Sequence, residues 1–72
     1  MKKTFAIEVD CANCANLCEG AAAKVDGVVS VTVNFMTQKM IVDFADGADE
    51  KKVLKAIFKA CRKIEPDFNI EF

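Results

Sequence analysis

Hydrophobic and polar residues alternate along four short stretches of this chain, a pattern typical of β-strands with one buried face. The stretches are residues 4–9, 28–35, 39–44 and 68–72. Their expected buried faces consist of Phe5, Ile7 and Val9; Val29, Val31, Val33 and Phe35; Met40, Val42 and Phe44; and Phe68, Ile70 and Phe72. The pairs Thr37-Gln38 and Asp46-Gly47 follow the second and third stretches, and both are predicted turns.

Two further stretches have helical character. Residues 13–25 contain a run of small, helix-favouring residues and stop at Asp26-Gly27, a common helix end. Gly20 weakens this helix, so we attribute its presence to close packing. The second helix begins at Asp49 and stops before Pro66, with basic residues on its polar side. Its expected apolar face consists of Val53, Leu54, Ile57, Phe58, Cys61 and Ile64.

The predicted elements follow one another in the order βαββαβ. Because strand–helix–strand connections are right-handed, this order produces one antiparallel sheet with both helices on one face. We therefore predict an α+β fold, the ferredoxin-like βαββαβ sandwich. No linker, repeat or low-complexity segment interrupts residues 1–72, so they are expected to form a single domain.

The amino-acid composition of the chain excludes several classes of function. The chain has 72 residues, 53% of them apolar, and a net charge of −1, which argues against nucleic-acid binding. Histidine is absent, so metal ligands must come from Cys, Asp, Glu or the backbone. The longest apolar stretches are too short to cross a membrane. No catalytic, nucleotide-binding or phosphorylation motif is present, so we expect a domain that is not itself an enzyme.

The N-terminal residues bear on the cellular compartment. Met1-Lys2-Lys3 begins like a signal peptide, but Glu8 and Asp10 interrupt the apolar segment that would follow. We therefore expect a cytoplasmic location. Thiols stay reduced there, so all four cysteines are predicted to be free, and a disulfide-stapled miniprotein is disfavoured.

The most informative motif is Cys11-Ala12-Asn13-Cys14, which lies where the first strand stops and the first helix begins. Thiolates bind soft and borderline metals, and this spacing lets both sulfurs reach one ion. The positive end of the helix dipole favours the thiolate form. Asp10 adds a hard oxygen donor, and its competing role is that of a helix N-cap or turn residue. The predicted metal ligands are thus Cys11, Cys14 and Asp10.

With this motif at the start of a βαββαβ chain, the sequence resembles the heavy-metal-associated domain family. The resemblance covers essentially the whole chain, including Asp26-Gly27-Val28 after the first helix and Val33-Asn34-Phe35 in the second strand. Members of this family occur as free metallochaperones and as N-terminal modules of metal-transporting P-type ATPases. The resemblance implies that the bound partner is a metal ion.

Departures from the copper-handling members favour a divalent ion. Val9 and Asp10 stand where those members usually have Met and Thr or Ser, and an Asp-Cys-x-x-Cys loop is similar to that of zinc, cadmium and lead transporters. Copper(I) is satisfied by two thiolates, whereas a divalent ion needs three or four ligands and tolerates oxygen. Before the last strand, Glu65, Pro66 and Asp67 replace the Lys or Tyr of copper chaperones. Resemblance to cadmium-type relatives implies that Glu65 or Asp67 completes the site.

The two remaining cysteines have competing interpretations. Cys18 lies one helical turn beyond the motif, where a third thiolate would suit cadmium or lead. The interpretation that we favour is a core residue in a buried stripe with Leu17, Ala21 and Val25. Cys61 falls on the apolar face of the second helix and is expected in the core.

The predicted function is the binding of a soft divalent ion, zinc, cadmium or lead, by the N-terminal cytosolic domain of a metal-exporting P-type ATPase. The alternative is a free-standing metallochaperone for copper(I), in which Asp10 is only a turn residue. The expected protein partners are cytosolic ATPase domains or a metal donor, to which exposed thiolates pass the ion by ligand exchange. A thiol–disulfide module and a purely structural interaction domain are the competing classes.

Overall fold

Four strands and two helices follow one another in the predicted order in the computed structural model, which describes residues 1–71. They are β1 (Lys2–Glu8), α1 (Ala12–Ala23), β2 (Val28–Asn34), β3 (Lys39–Phe44), α2 (Glu50–Ile64) and β4 (Asn69–Ile70). The predicted bounds differ from these by at most two residues, as expected where element ends fray. Phe72, predicted as the last buried residue of the sheet, lies outside the described residues.

The strands form one sheet in the order β2-β3-β1-β4, with every neighbouring pair antiparallel. Within it, Phe5 of β1 pairs with Met40 of β3, and Ile7 pairs with Ile70 of β4. Helices α1 and α2 contact each other and cover one face of the sheet. The predicted ferredoxin-like sandwich is therefore confirmed. Because β4 runs beside the end of β1, the β1–α1 and α2–β4 loops lie at the same end of the molecule.

The core lies between the sheet and the two helices. Its largest fully buried side chains are Phe68, Met40, Ile57, Val42, Cys18 and Cys61. Two residues predicted for the core are exposed instead. Val29 is 64% exposed, because a β-bulge between Val28 and Ser30 shifts the register of β2. Leu17 is 51% exposed, because the buried face of α1 consists of Ala15, Cys18 and Ala22.

The two residues predicted to bound helix α2, Asp49 and the residue before Pro66, are its caps. Asp49 is its N-cap, and the Asp49 carboxylate accepts hydrogen bonds from the N–H groups of Lys51 at 3.1 Å and Lys52 at 3.4 Å. Glu65 is the C-cap and is followed by Pro66, which cannot continue a helix. Within the described residues, neither α1 nor α2 has the length and apolar character needed to cross a bilayer.

Gly20 in α1 is exposed, and a methyl group at its Cα would meet nothing within 4 Å. The predicted close packing at this residue is therefore wrong. Alanine fits here and favours the helix, because it restricts the unfolded chain more than glycine does. We expect Gly20→Ala to raise the free energy of unfolding by about 0.5–1 kcal/mol. Urea unfolding measures the change, and an unchanged or lower midpoint would contradict the expectation.

Candidate metal centre

Cys11 and Cys14 lie at the junction of β1 and α1, with Cys11 as the N-cap of the helix. The Cys11 backbone is extended (φ −143°, ψ 150°), and its Sγ accepts a hydrogen bond from the Cys14 N–H at 3.0 Å. A sulfur therefore occupies the position from which Ser or Asp usually caps a helix. Both cysteines consequently lie at the positive end of the α1 dipole, which favours the negatively charged thiolate form.

The structure joins Cys11 and Cys14 in a disulfide, with their Cα atoms 5.2 Å apart. The prediction that all four cysteines are free is wrong for this pair, whereas Cys18 and Cys61 are free. A Cα separation of this size lies within the range that a disulfide requires, so the loop permits the bond. A metal ion needs both sulfurs as thiolates, so the pair must gain two electrons before it can bind one.

Glu65 reaches the cysteine pair from a distant part of the sequence. It follows α2 directly, and its carboxylate forms one group with the two sulfurs, all three ligand atoms lying within 4.8 Å of one another. The Glu65 N–H donates to the carbonyl of Cys61 at 2.9 Å, which ties this residue to the end of the helix. All three side chains of the group are half-buried. Two sulfur donors and one oxygen donor therefore converge at one end of the sandwich.

Asp10 belongs to a neighbouring group of carboxylates. Its oxygen lies within 4.8 Å of those of Glu65 and Asp67, and both aspartates are exposed. Glu65 is shared by the two groups, and its Oε1 accepts a hydrogen bond from the Asp67 N–H at 3.1 Å. Asp10 does not cap α1 either, since Cys11 holds that position. Glu65 is thus the acidic residue that the structure groups with both sulfurs.

Cys18 and Cys61 lie opposite each other where α1 meets α2, and both are fully buried. The Cys18 thiol donates to the Cys61 carbonyl at 3.8 Å, and the Cys61 thiol donates to the Cys18 carbonyl at 3.5 Å. Burial raises the pKa of both thiols, so they remain protonated in the folded protein. The structure places Cys18 in the core, outside the group that contains the loop cysteines.

The fold and the cysteine loop together match a known family. A family model described as "Heavy-metal-associated domain" matches residues 4–65, a range that contains the whole cysteine loop and both helices. The chain belongs to the heavy-metal-associated (HMA) domain family. As a member of that family, this HMA domain is a metal-binding module.

Similar proteins include copper ATPases and a metallochaperone. The HMA domain is 44% identical over 57 residues to copper-transporting ATPase 1 of Rhizobium meliloti (strain 1021). The matched segment covers 78% of this chain and only 7% of the ATPase. The N-terminal domain of a potential copper-translocating P-type ATPase from Bacillus subtilis matches with a TM-score of 0.74 and 27% identity, over 99% of this chain and 84% of that chain. The CopZ metallochaperone matches with a TM-score of 0.70 over 99% of this chain and 100% of that chain, but at 22% identity it shows the fold alone.

The predicted choice of metal finds no support in these relatives. Both ATPases among them carry copper in their names, and neither is named for zinc, cadmium or lead. The departures at Val9 and Asp10 therefore do not place the HMA domain among the divalent-ion transporters, although they remain features of its sequence.

Proposed function

We propose that this HMA domain binds copper(I) through the thiolates of Cys11 and Cys14, as a cytosolic metal-binding domain of a copper-transporting P-type ATPase. The observation that carries the proposal is the pairing of the two sulfurs at the N-terminus of α1. It is supported by 44% identity to part of a copper-transporting ATPase. Copper(I) is a soft ion that two thiolates satisfy, so the ion requires no further ligand.

The loop suits an ion that is passed on rather than retained. Cys11 and Cys14 are half-buried, so part of each remains open to solvent. A thiolate of a partner protein can attack the bound ion before either cysteine leaves, and copper is then never free in solution. The same chemistry would serve a free-standing metallochaperone, which is the alternative setting for this site. The disulfide blocks the site, because it consumes both thiolates, so loading follows reduction of the pair.

A zinc, cadmium or lead ion is the second candidate, and the position of Glu65 favours it. Its carboxylate and the two sulfurs lie within 4.8 Å of one another, so a sulfur, sulfur, oxygen ligand set is available. Divalent ions of this group take three or four ligands and accept oxygen among them. Asp10, in the neighbouring carboxylate group, stays a predicted ligand beside the two cysteines.

Metal titrations of the reduced protein test both candidates. Copper(I) is added in competition with a chromogenic copper(I) chelator, and cadmium is followed by its sulfur-to-metal charge-transfer absorbance. We expect one copper(I) per chain, and we expect Cys11→Ser combined with Cys14→Ser to abolish that binding. Glu65→Gln is expected to leave copper(I) affinity unchanged and to weaken cadmium binding by about 10-fold or more, because it removes a charged oxygen donor.

Asp67→Asn is the matched control, since it removes a neighbouring carboxylate that is not grouped with the sulfurs. Copper(I) binding that survives the double serine substitution, or that is absent from the wild type, would overturn the copper proposal. The divalent candidate fails if Glu65→Gln and Asp67→Asn have the same effect on cadmium. Loss of copper(I) affinity in Glu65→Gln would mean that the carboxylate also serves copper.

A further inference from the structure

The side chain of Gln38 contacts the end of β1, beyond the last residue of β1 that pairs with β3. Pairing between β1 and β3 ends with Ala6 opposite Lys39. Beyond this point the Ile7 N–H donates to the backbone carbonyl of Gln38 at 3.0 Å, and the Val9 N–H donates to the side-chain Oε1 of Gln38 at 2.9 Å. The glutamine amide therefore takes the place of the next strand carbonyl and continues the hydrogen-bond ladder toward the metal loop.

The Gln38 side chain is itself fixed in position. Its Nε2 donates to the carbonyl of Phe35 at 2.9 Å, so both ends of the amide have partners and its orientation is determined. Gln38 is the one residue other than glycine in 1–71 with a positive φ, at 54°. That conformation is easier for glycine or asparagine, and non-glycine residues held in it are concentrated at functional positions. A glutamine here indicates that the side chain is used.

The anchored residue is close to the cysteines. Val9 is buried, and Asp10 alone separates it from Cys11. On the other side, the Cys11 carbonyl accepts the Ala15 N–H at 3.0 Å, so helix α1 holds the far end of the same segment. The path of the chain into the site is therefore fixed at both ends, and Gln38 supplies the upstream contact.

We propose that Gln38 is a positioning residue for the metal loop, which holds Cys11 where both sulfurs can bind one ion. The inference rests on the proposed metal binding by Cys11 and Cys14 and adds a residue from the β2–β3 turn to that site. It acts through its hydrogen bond to the Val9 backbone rather than as a ligand of the ion. Loss of the contact frees the upstream end of the loop, so the bound ion exchanges faster although the fold persists.

Three variants separate positioning from general stability. Gln38→Gly keeps the positive φ and removes the amide. Gln38→Glu keeps an oxygen acceptor for the Val9 N–H but loses the amide donor to the Phe35 carbonyl. Asn34→Ala is the matched control in the same turn. The Asn34 Oδ1 accepts hydrogen bonds from Met36 and Thr37 but makes none to β1, so its loss weakens the turn alone.

The measurements are amide hydrogen exchange at Val9 and the rate of copper(I) transfer from the loaded protein to a chelator. In Gln38→Gly we expect Val9 exchange to rise about 10-fold, as the loss of one hydrogen bond implies, and copper transfer to accelerate several-fold. Gln38→Glu keeps the acceptor but not the donor, so its transfer rate should lie between those of Gln38→Gly and the wild type. Asn34→Ala should lower the urea midpoint while leaving Val9 exchange and copper transfer as in the wild type.

Two outcomes would overturn the positioning role. One is wild-type transfer and Val9 exchange in Gln38→Gly, and the other is an equal effect of Asn34→Ala. If the wild type binds no copper, the proposed function fails separately. The positioning role can then still be tested in the metal-free protein, by comparing Val9 amide exchange and the alkylation rates of reduced Cys11 and Cys14 between Gln38→Gly and the wild type. Alkylation rates that are the same in Gln38→Gly and in the wild type would refute it.

Discussion

Gly27→Ala is expected to lower the free energy of unfolding by roughly 2–5 kcal/mol. Gly27 connects α1 to β2 with φ at 91°, a conformation that L side chains rarely adopt. A Cβ at this residue would lie 2.8 Å from Cγ2 of Val53 and 3.3 Å from Cβ of Ala48, so backbone strain and overpacking act together. Val53 is buried on α2 and has little room to move.

Gly47→Ala is the control for the backbone contribution. Gly47 also has a positive φ, 79°, but a Cβ there would meet nothing within 4 Å. This variant should lose only about 1–2 kcal/mol, the cost of a left-handed conformation. Urea unfolding of both variants measures the difference between them. Equal losses would mean that the contact with Val53 is relieved at no cost and that the packing argument is wrong.

Raising the pH above 9 is expected to destabilise the fold steeply through the two buried thiols. Burial raises the pKa of Cys18 and Cys61 above the ordinary value of 9.0. The unfolded chain then releases two protons near pH 9 that the folded protein retains, so rising pH favours unfolding. The stability that depends on these thiols is complete below pH 9. Above it, each thiol removes up to about 1.4 kcal/mol per pH unit over the range in which the folded protein still retains its proton.

The measurement is the free energy of unfolding from pH 8 to 11 in a Cys11→Ser, Cys14→Ser background, in which the buried pair are the remaining thiols. The comparison protein carries Cys18→Ala and Cys61→Ala in addition. Lysine titration is common to both proteins. The difference between their slopes of unfolding free energy against pH therefore reports the two buried thiols alone. Parallel slopes would show that the thiols ionise as readily in the folded protein as in the unfolded chain.

The fold could be predicted because strand alternation and turn residues agree along most of the chain. The prediction of buried residues fails where a local irregularity interrupts the alternation of buried and exposed side chains. The β-bulge at Val28 and Ser30 turns Val29 outward, and nothing in a run of valines indicates which residue is the extra one. Helix α1 consists largely of small residues, so its hydrophobic pattern is weak and did not exclude Leu17 from the buried face.

At the metal site, local features could be predicted and distant ones could not. The position of Cys11 and Cys14 follows from a strand ending where a helix begins. Glu65 was identified by resemblance, since 50 intervening residues separate it from the pair in sequence. Gln38 was predicted only as a turn residue, because its contact with Val9 depends on the register between β1 and β3. Such register is a property of the folded sheet rather than of either segment alone.

The two edges of the sheet affect how the protein behaves at high concentration. An exposed strand edge invites pairing with another molecule and so promotes aggregation. Here one edge strand, β2, carries a bulge near its start, and the other, β4, has two residues within 1–71. Both features shorten the regular row of free backbone groups that each edge offers to a second sheet. The two edges are therefore expected to limit edge-to-edge association when the protein is concentrated.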